Sequence, residues 1–408
     1  MAWKGLHLSR PARLVKANGQ LVVGQDDGDV RLPLEDLAWV ILDTPQATMT
    51  SSLLAACMEE GVVVVVTDAK HHPCGMVLPF HRHHRQAAVA VLQIEAGAPL
   101  KKRLWQRIVR AKIVNQAATL ERCGRPGAPA LREMSKRVGS GDPANIEAQA
   151  ARHYWTCLFD GFVRSNAADR RNSMLDYGYA IARAAIARAL AAYGLLPAVG
   201  LRHASASNAF NLADDVLEPF RPFVDRLVVA LLRDGADGAG SELSLQDRQS
   251  LADLLVVGAC VGEEVMTLLA ATELVAASLV VRSSASLLRS CGCRVRLTAM
   301  KSEEARFVWL FVFFDLPVGT KVQRRHATRF RNFLKEDGFL MLQWSVYARV
   351  CRGEDGATAH RERVRQNLPP QGSVRALQVT DRQYGRMKLL LGEASKSERL
   401  APQQLVLL

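Results

Sequence analysis

The chain has 408 residues, a formal net charge of +13 at pH 7, 49% hydrophobic residues and 23% charged residues. That length can bury two or three cores, and the composition is that of a soluble globular protein rather than a membrane-spanning or secreted one. The opening MAWKGLHLSRPARL has no apolar signal core, and the longest apolar runs, Gly61 to Val66 and Leu254 to Val261, are too short to cross a bilayer.

In chain order, the first eighty or so residues read as β structure. LVVGQDDGDVRLPLEDLAWVILD alternates short apolar stretches with Gly and Asp turns, Ser51 to Glu60 is a short helix, and GVVVVVTD is a continuous buried strand. From about Gln86 to Ser286 the spacing is helical: Leu104 to Glu121, the Ala- and Arg-rich Tyr177 to Leu195, and Glu263 to Val281. Ser244 is an expected N-cap with Asp247 three residues on, and Arg233 to Glu242 is an expected Gly-rich surface loop. After a polar KSEEA junction, RFVWLFVFFDLP, the basic helix Lys321 to Asp337, FLMLQWSVYARV, the helical His360 to Asn367 and VRALQVTD read as β-α-β-α-β, and with a further hairpin strand folded into Gly338 to Val350 they give the β-α-β-β-α-β order of a ferredoxin-like unit. Nineteen Lys/Arg against eleven Asp/Glu lie after Met300, so the positive field is concentrated in the last quarter. A basic balance calls for a polyanionic partner, most simply nucleic acid; a membrane surface is the weaker alternative.

The stretch Val199 to Asp225 holds His203, Asp214, Asp215 and Glu218 among few other charges, and NIEAQAARHYW offers Glu147 upstream. One imidazole with two or three carboxylates is a mixed N/O ligand set for a divalent ion. Taken singly, each has a plainer reading. Asp215 and Glu218 precede Pro219 and Pro222, so they can cap a helix start; Glu147 can be a solvated helix carboxylate and His203 a core or surface histidine. HHPCGMVLPFHRHH holds His71, His72, His81, His83 and His84 beside Cys74. Its spacing matches no standard zinc pattern, and it is read as a basic turn near DNA. The eight cysteines, with a lone CxC at Cys291 and Cys293, are expected as reduced thiols in a cytoplasm. Expected phosphate or base contacts are Arg164, Arg170, Arg171, Asn172, Tyr177, Tyr179 and Arg202, with Arg324, Arg325, Arg329 and Arg331 on the basic helix. Packed Tyr rings and a merely solvated helix face are the competing readings.

LPLEDLAWVILD, DAKHHPCGMVLP, NIEAQAARHYW, RRNSMLDYGYA and GLRHASASNAFNLADDVLEPFRP run in order through the first 300 residues. This segment resembles CRISPR-associated protein one, the adaptation integrase family, and the EPFRP context is similar to its type II branch. The resemblance implies that Glu147, His203 and Glu218 bind a catalytic Mg²⁺ or Mn²⁺, with Asp215 a supporting carboxylate. VFFDLPVGT, KEDGF, MLQWSVYARV and VTDRQYGRM resemble CRISPR-associated protein two. There Asp315 matches the strand-end aspartate, a possible second metal ligand, and APQQLVLL looks like a strand that docks on a neighbouring subunit.

The expected fold is α+β multidomain: a β-sandwich-like domain at 1–85, an all-α catalytic domain at 86–299, and a ferredoxin-like DNA-clamping domain at 300–408. The expected activity is insertion of short foreign DNA fragments into a CRISPR array, by attack of a 3′-hydroxyl on a repeat-edge phosphodiester. The alternatives are a structure-specific DNA endonuclease, a non-enzymatic DNA scaffold, and ribonuclease activity of the last unit. Expected partners are double-stranded fragments, leader–repeat DNA, further copies of the chain as a DNA-bound tetramer, and a type II RNA-guided effector nuclease, with no membrane.

Overall fold

The structure is a computed structural model that describes residues 2–80, 82–233, 242–261, 264–284, 295–296 and 307–408. His81, the Gly-rich loop, Cys291, Cys293 and the KSEEA junction lie outside the described residues.

The N-terminal region opens with β1 (Lys4–Leu8), β2 (Ala12–Ala17), β3 (Gln20–Gln25), β4 (Gly28–Pro33), β5 (Leu37–Leu42) and β6 (Ala47–Met49). Helix α1 (Ser51–Glu60) then leads to β7 (Val63–Thr67) and β8 (Pro73–Val77). Thr50 caps α1, and Gly61 ends it at φ 71°, the left-handed region glycine tolerates. These strands form two sheets, one ordered β4-β3-β2-β6 and one containing β1-β5-β7-β8. Between them Leu6, Leu8, Val40 and Val64 meet Leu14, Leu21, Val23 and Leu32, joined by Leu53 and Cys57 of α1. The second sheet is not half-solvated as in a simple sandwich. Its other face, with Trp39, Ile41, Val63 and Val65, joins the core of the helical region. Burial on both faces is why Val62 to Val66 form an unbroken apolar run.

The helical region comprises α2 (Gln86–Ile94), α3 (Ala98–Arg122), α4 (Ala128–Arg137), α5 (Ile146–Leu158), α6 (Arg170–Ala192), α7 (Asn211–Leu217), α8 (Arg221–Arg233) and α9 (Leu245–Ala252). Ser244 and Asp247 form the expected capping box of α9. The region is not all-α. β9 (Gly258–Val261) and β10 (Glu264–Thr267) pair antiparallel before α10 (Leu268–Ser284), and β11 (Val295–Arg296) pairs with β9. The helix expected from Glu263 therefore begins later, because the β-branched and Gly-flanked stretch makes a hairpin first.

The last unit runs β12 (Phe307–Asp315), α11 (Lys321–Glu336), β13 (Leu340–Gln343), β14 (Val346–Arg352), α12 (Gly353–Gln366) and β15 (Ser373–Thr380). Its antiparallel sheet is ordered β13-β14-β12-β15, with Phe330, Leu334, Ala357 and Val364 of the helices packed on Leu310, Val312 and Tyr347. Short helices α13 (Asp381–Tyr384) and α14 (Lys396–Leu400) lead to β16 (Leu405–Leu407).

β16 docks on its own chain, which corrects the expectation of a neighbouring subunit: Gly5 pairs with Leu405 and His7 with Leu407, parallel, as a fifth strand beside β1. Fusion makes this edge pairing intramolecular, which raises its effective concentration. A polar network adds to the contact. The buried Arg349 guanidinium donates to Glu35 at 2.6 Å and Asp36 at 3.1 Å, and Arg363 bridges Glu35 and Asp337 at 3.0 and 2.8 Å. Lys4 donates to the Ala401 carbonyl, and Gln20 donates to that of Lys335 at 3.0 Å.

Candidate metal and phosphate site

The α7–α8 junction is built by two prolines. Glu218–Phe220 is a 3-10 turn between the two helices, because Pro219 and Pro222 cannot donate to an α-helical ladder. Asp215 therefore sits near the end of α7 rather than at a helix start, and Glu218 sits in the link itself. Helix α3 pins the link from one face: Asn115 donates to the Pro219 carbonyl at 2.8 Å and Thr119 to that of Pro222 at 3.0 Å.

Lys112 lies one turn before Asn115 on the same face. Its Nζ is 2.7 Å from Glu147 Oε1 and 2.5 Å from Glu218 Oε2. Glu147 enters from the first turn of α5, whose backbone Asp142 caps by accepting from the Ile146 and Glu147 N–H groups. Arg221 holds the other oxygen of Glu218 at 2.9 Å. Burial alone would raise the Glu218 pKa, but Lys112 and Arg221 bring it down to about 2. Burial pulls the Lys112 pKa down, and the two carboxylates more than offset this and raise it. Two carboxylates from separate helices thus meet on one cationic atom.

His203 stands in the loop between α6 and α7, with its side chain half-exposed. Gln93 anchors the start of that loop, donating to the Leu196 and Val199 carbonyls at 2.9 and 2.8 Å. The fully buried Asp215 anchors its end. It accepts from the backbone N–H groups of Leu201, Arg202 and His203 at 2.6, 3.1 and 3.2 Å, and pairs with His203 Nδ1 at 2.7 Å. Burial raises the Asp215 pKa against the pull of these bonds. Trp105 of α3 meets the imidazole edge-on at 5.9 Å between ring centres. With Nδ1 held by a carboxylate, Nε2 is the ring nitrogen left for a ligand, the usual arrangement of a metal-binding histidine.

The residue types present suit a hard divalent ion: two carboxylates gathered on one positive charge, and an imidazole that Asp215 orients on the α6–α7 loop. As trios, however, only Glu35, Asp337 and His360 bring ligand atoms within 4.8 Å of one another among the described residues. Glu147, His203 and Glu218 are not drawn that close, and the two carboxylates share the Lys112 ammonium. In the Glu35–Asp337–His360 group, Arg349 pairs with Glu35 and Arg363 with both carboxylates, as Lys112 and Arg221 pair with Glu147 and Glu218. Asp315 is exposed at the end of β12 and belongs to no such trio.

Several of the expected DNA contacts have partners within the chain. Arg170 pairs with Asp247, Arg164 with Asp176, and Arg171 with Asp169. Asn172 is buried and donates to the Val163 and Asn166 carbonyls at 2.9 Å. Tyr177 is buried beside His7. Tyr179 and Tyr154 both donate to the buried Asp225, at 2.5 and 2.8 Å, tying α5, α6 and α8 together. Burial raises the Asp225 pKa to about 6, against the pull of those two bonds. Arg202 is exposed beside His203. On α11, Arg324 donates to the Val318 and Gly319 carbonyls, and Arg331 lies over Phe314 and Trp344. Arg325 and Arg329, one turn apart, are exposed, with Lys321 one turn before them.

Sequence reading missed Lys112, Asn115, Thr119, Trp105, Arg221 and Asp225. A signal existed for the first three: polar side chains at i, i+3 and i+7 on a face of α3 that is otherwise buried.

A two-sheet domain with a helical region, followed by a joined ferredoxin-like unit, defines a two-module architecture. The model of CRISPR associated protein Cas1 matches residues 6–240, and that of CRISPR associated protein Cas2 matches residues 308–387. The chain belongs to the Cas1 family and carries a fused Cas2 domain. It is 42% identical over 236 residues to CRISPR-associated endonuclease Cas1 of Neisseria meningitidis serogroup C (strain 8013), covering 58% of this chain and 78% of that protein. Its last unit is 53% identical over 83 residues to CRISPR-associated endoribonuclease Cas2 of Acidovorax ebreus (strain TPSY), covering 20% of this chain and 81% of that protein. In fold it is similar to a casposase bound to integration product, with a TM-score of 0.57 and 18% identity, over 70% of this chain and 92% of that one. Among the described residues no helix is long and apolar enough to cross a membrane.

Proposed function

We propose that the chain is an integrase of CRISPR adaptation, joining the 3′-hydroxyl of a short double-stranded fragment to a repeat-edge phosphodiester of leader–repeat DNA. The observation that carries this reading is the meeting of Glu147 and Glu218 on one cation, within a Cas1 domain fused to Cas2; Asp215 separately orients the His203 imidazole. Glu147, Glu218 and His203 Nε2 would hold Mg²⁺ or Mn²⁺, which lowers the pKa of the attacking hydroxyl and neutralises charge in the in-line transition state. Asp215 fixes the imidazole and the 201–203 backbone together. Arg221 keeps one Glu218 oxygen in place, and Arg202 presents a positive charge to the DNA backbone beside the site. Arg325 and Arg329 hold a duplex by its phosphates, without reading sequence.

Labelled fragment and a leader–repeat plasmid test the reading, with Mn²⁺ and with EDTA. Glu147→Ala, His203→Ala and Glu218→Ala should each abolish joined product and leave fragment binding in place. A substituted protein that still joins strands removes that residue from the ligand set. The Cas1 relative is named an endonuclease, so products that are only cut, never joined, would replace this reading with a nuclease. Residues 301–408 bear the resemblance to proteins named endoribonucleases, and RNA is the control substrate. Assembly as a DNA-bound tetramer, and association with a type II RNA-guided effector nuclease, belong to the same proposal. Native mass measurement on a fragment duplex gives the copy number.

A further inference from the structure

We propose that Lys112 is an internal counter-ion that exchanges with the divalent metal: its ammonium joins Glu147 and Glu218 in the ion-free protein and leaves when the metal arrives. The inference rests on the metal reading above.

Three observations point to exchange rather than a permanent salt bridge. The ammonium lies 2.7 and 2.5 Å from one oxygen of each carboxylate, close to the 2.0–2.6 Å at which oxygen ligands surround Mg²⁺ or Ca²⁺. Two cations cannot share that point. Second, Glu218 Oε2 is buried, and the Lys112 ammonium is the charged partner beside it. A buried carboxylate oxygen needs a partner, so when the ammonium leaves, this oxygen requires another cation in its place. Third, the charges of Glu147, Glu218, Lys112 and Arg221 cancel. Adding a dication while Lys112 stays would leave two uncompensated positive charges in a largely buried cluster, which is strongly unfavourable. Arg221 holds Oε1 and not Oε2, so it can remain and keep Glu218 in place while Lys112 swings away on its flexible stem.

The probe is Mn²⁺ alone, titrated into the full-length chain after EDTA treatment, with free Mn²⁺ read by electron paramagnetic resonance. Lys112→Met keeps the bulk and removes the competing charge. It should bind Mn²⁺ at least about tenfold more tightly than the wild type, whereas loss of a merely structural lysine would weaken binding. Unchanged or weaker affinity overturns the proposal. The wild type supplies a second readout that needs no variant. Acetylation of Lys112, followed by mass spectrometry, should rise several-fold at saturating Mn²⁺ and not in Glu218→Gln. Unchanged or reduced reactivity with Mn²⁺ bound also overturns it. The two readings fail differently. If the wild type binds no Mn²⁺, or Glu147→Gln and Glu218→Gln bind it as well as wild type, the metal site itself is wrong. If those two lose Mn²⁺ while Lys112→Met is unchanged, only the exchange is wrong.

Discussion

Glu218→Gln in the EDTA-treated protein isolates what the buried ion-pair cluster contributes to stability. Glu218 is depressed from 4.5 to about 2, since the attraction of Lys112 and Arg221 exceeds the penalty of burial. At 1.36 kcal/mol per pKa unit, that shift corresponds to about 3 kcal/mol of stability when the group is ionised. A depressed carboxyl stabilises the fold fully above its unfolded pKa, and the contribution is lost as pH falls from about 4.5 through about 2. Glutamine cannot ionise, so it lacks the contribution at every pH. It also leaves Lys112 with Glu147 as its sole carboxylate, and Arg221 with a neutral amide oxygen in place of a carboxylate. The variant should therefore be about 2–3 kcal/mol less stable near pH 6, and the gap should be about 1 kcal/mol smaller at pH 3.5. Urea denaturation at the two pH values, followed by tryptophan fluorescence, measures it; Trp105 and Trp155 both report from the helical region. A variant within 0.5 kcal/mol of wild type at pH 6 (about the scatter of neutral surface substitutions), or a gap that widens as pH falls, would refute the electrostatic account.

Arg325→Ala with Arg329→Ala should weaken binding of unrelated duplexes alike, and should reduce the slope of log K against log salt by about 2, as expected for two lost phosphate contacts. Arg170→Ala should instead lower stability by about 2 kcal/mol or more through loss of its largely buried Asp247 partner, with duplex affinity of the folded protein little changed; filter binding beside a thermal melt separates the two effects. Arg349→Met should loosen the last unit from the N-terminal sheet at a cost of about 3–5 kcal/mol, by leaving Glu35 and Asp36 without their buried guanidinium. Faster amide exchange in β16 and β1 with unchanged exchange in α5 and α6 is the expected pattern, and uniform exchange rates would count against this latch.

Much of the architecture is legible without coordinates. Alternation and apolar runs place β7 and β12, helical spacing places α3 and α6, and Ser244 with Asp247 marks the start of α9. The prolines after Glu218 mark a break, but in the sequence it reads as a helix start, whereas Asp215 lies near the end of α7 and Glu218 in a 3-10 link. These features are local: each depends on dihedral preferences, caps and periodicity within a few residues. The concentration of charge after Met300 and the ordered motifs are equally independent of tertiary contacts.

Contacts between distant residues are what the tertiary structure alone decides. Lys112 precedes Glu147 by 35 positions, and no local pattern shows that its ammonium will stand between that carboxylate and Glu218. The arginines of RRNSMLDYGYA look free for phosphate in one dimension, yet Asp247 reaches Arg170 from 77 residues away. The apolar tail APQQLVLL announces an edge strand but not its partner, and β1 lies some 400 residues back along the chain. Periodicity tells which side of an element is buried. It carries no information about which remote side chain will complete a hydrogen bond or neutralise a charge there, and that pairing, set by packing of whole elements, determines whether a polar residue becomes a ligand, a DNA contact or an internal brace.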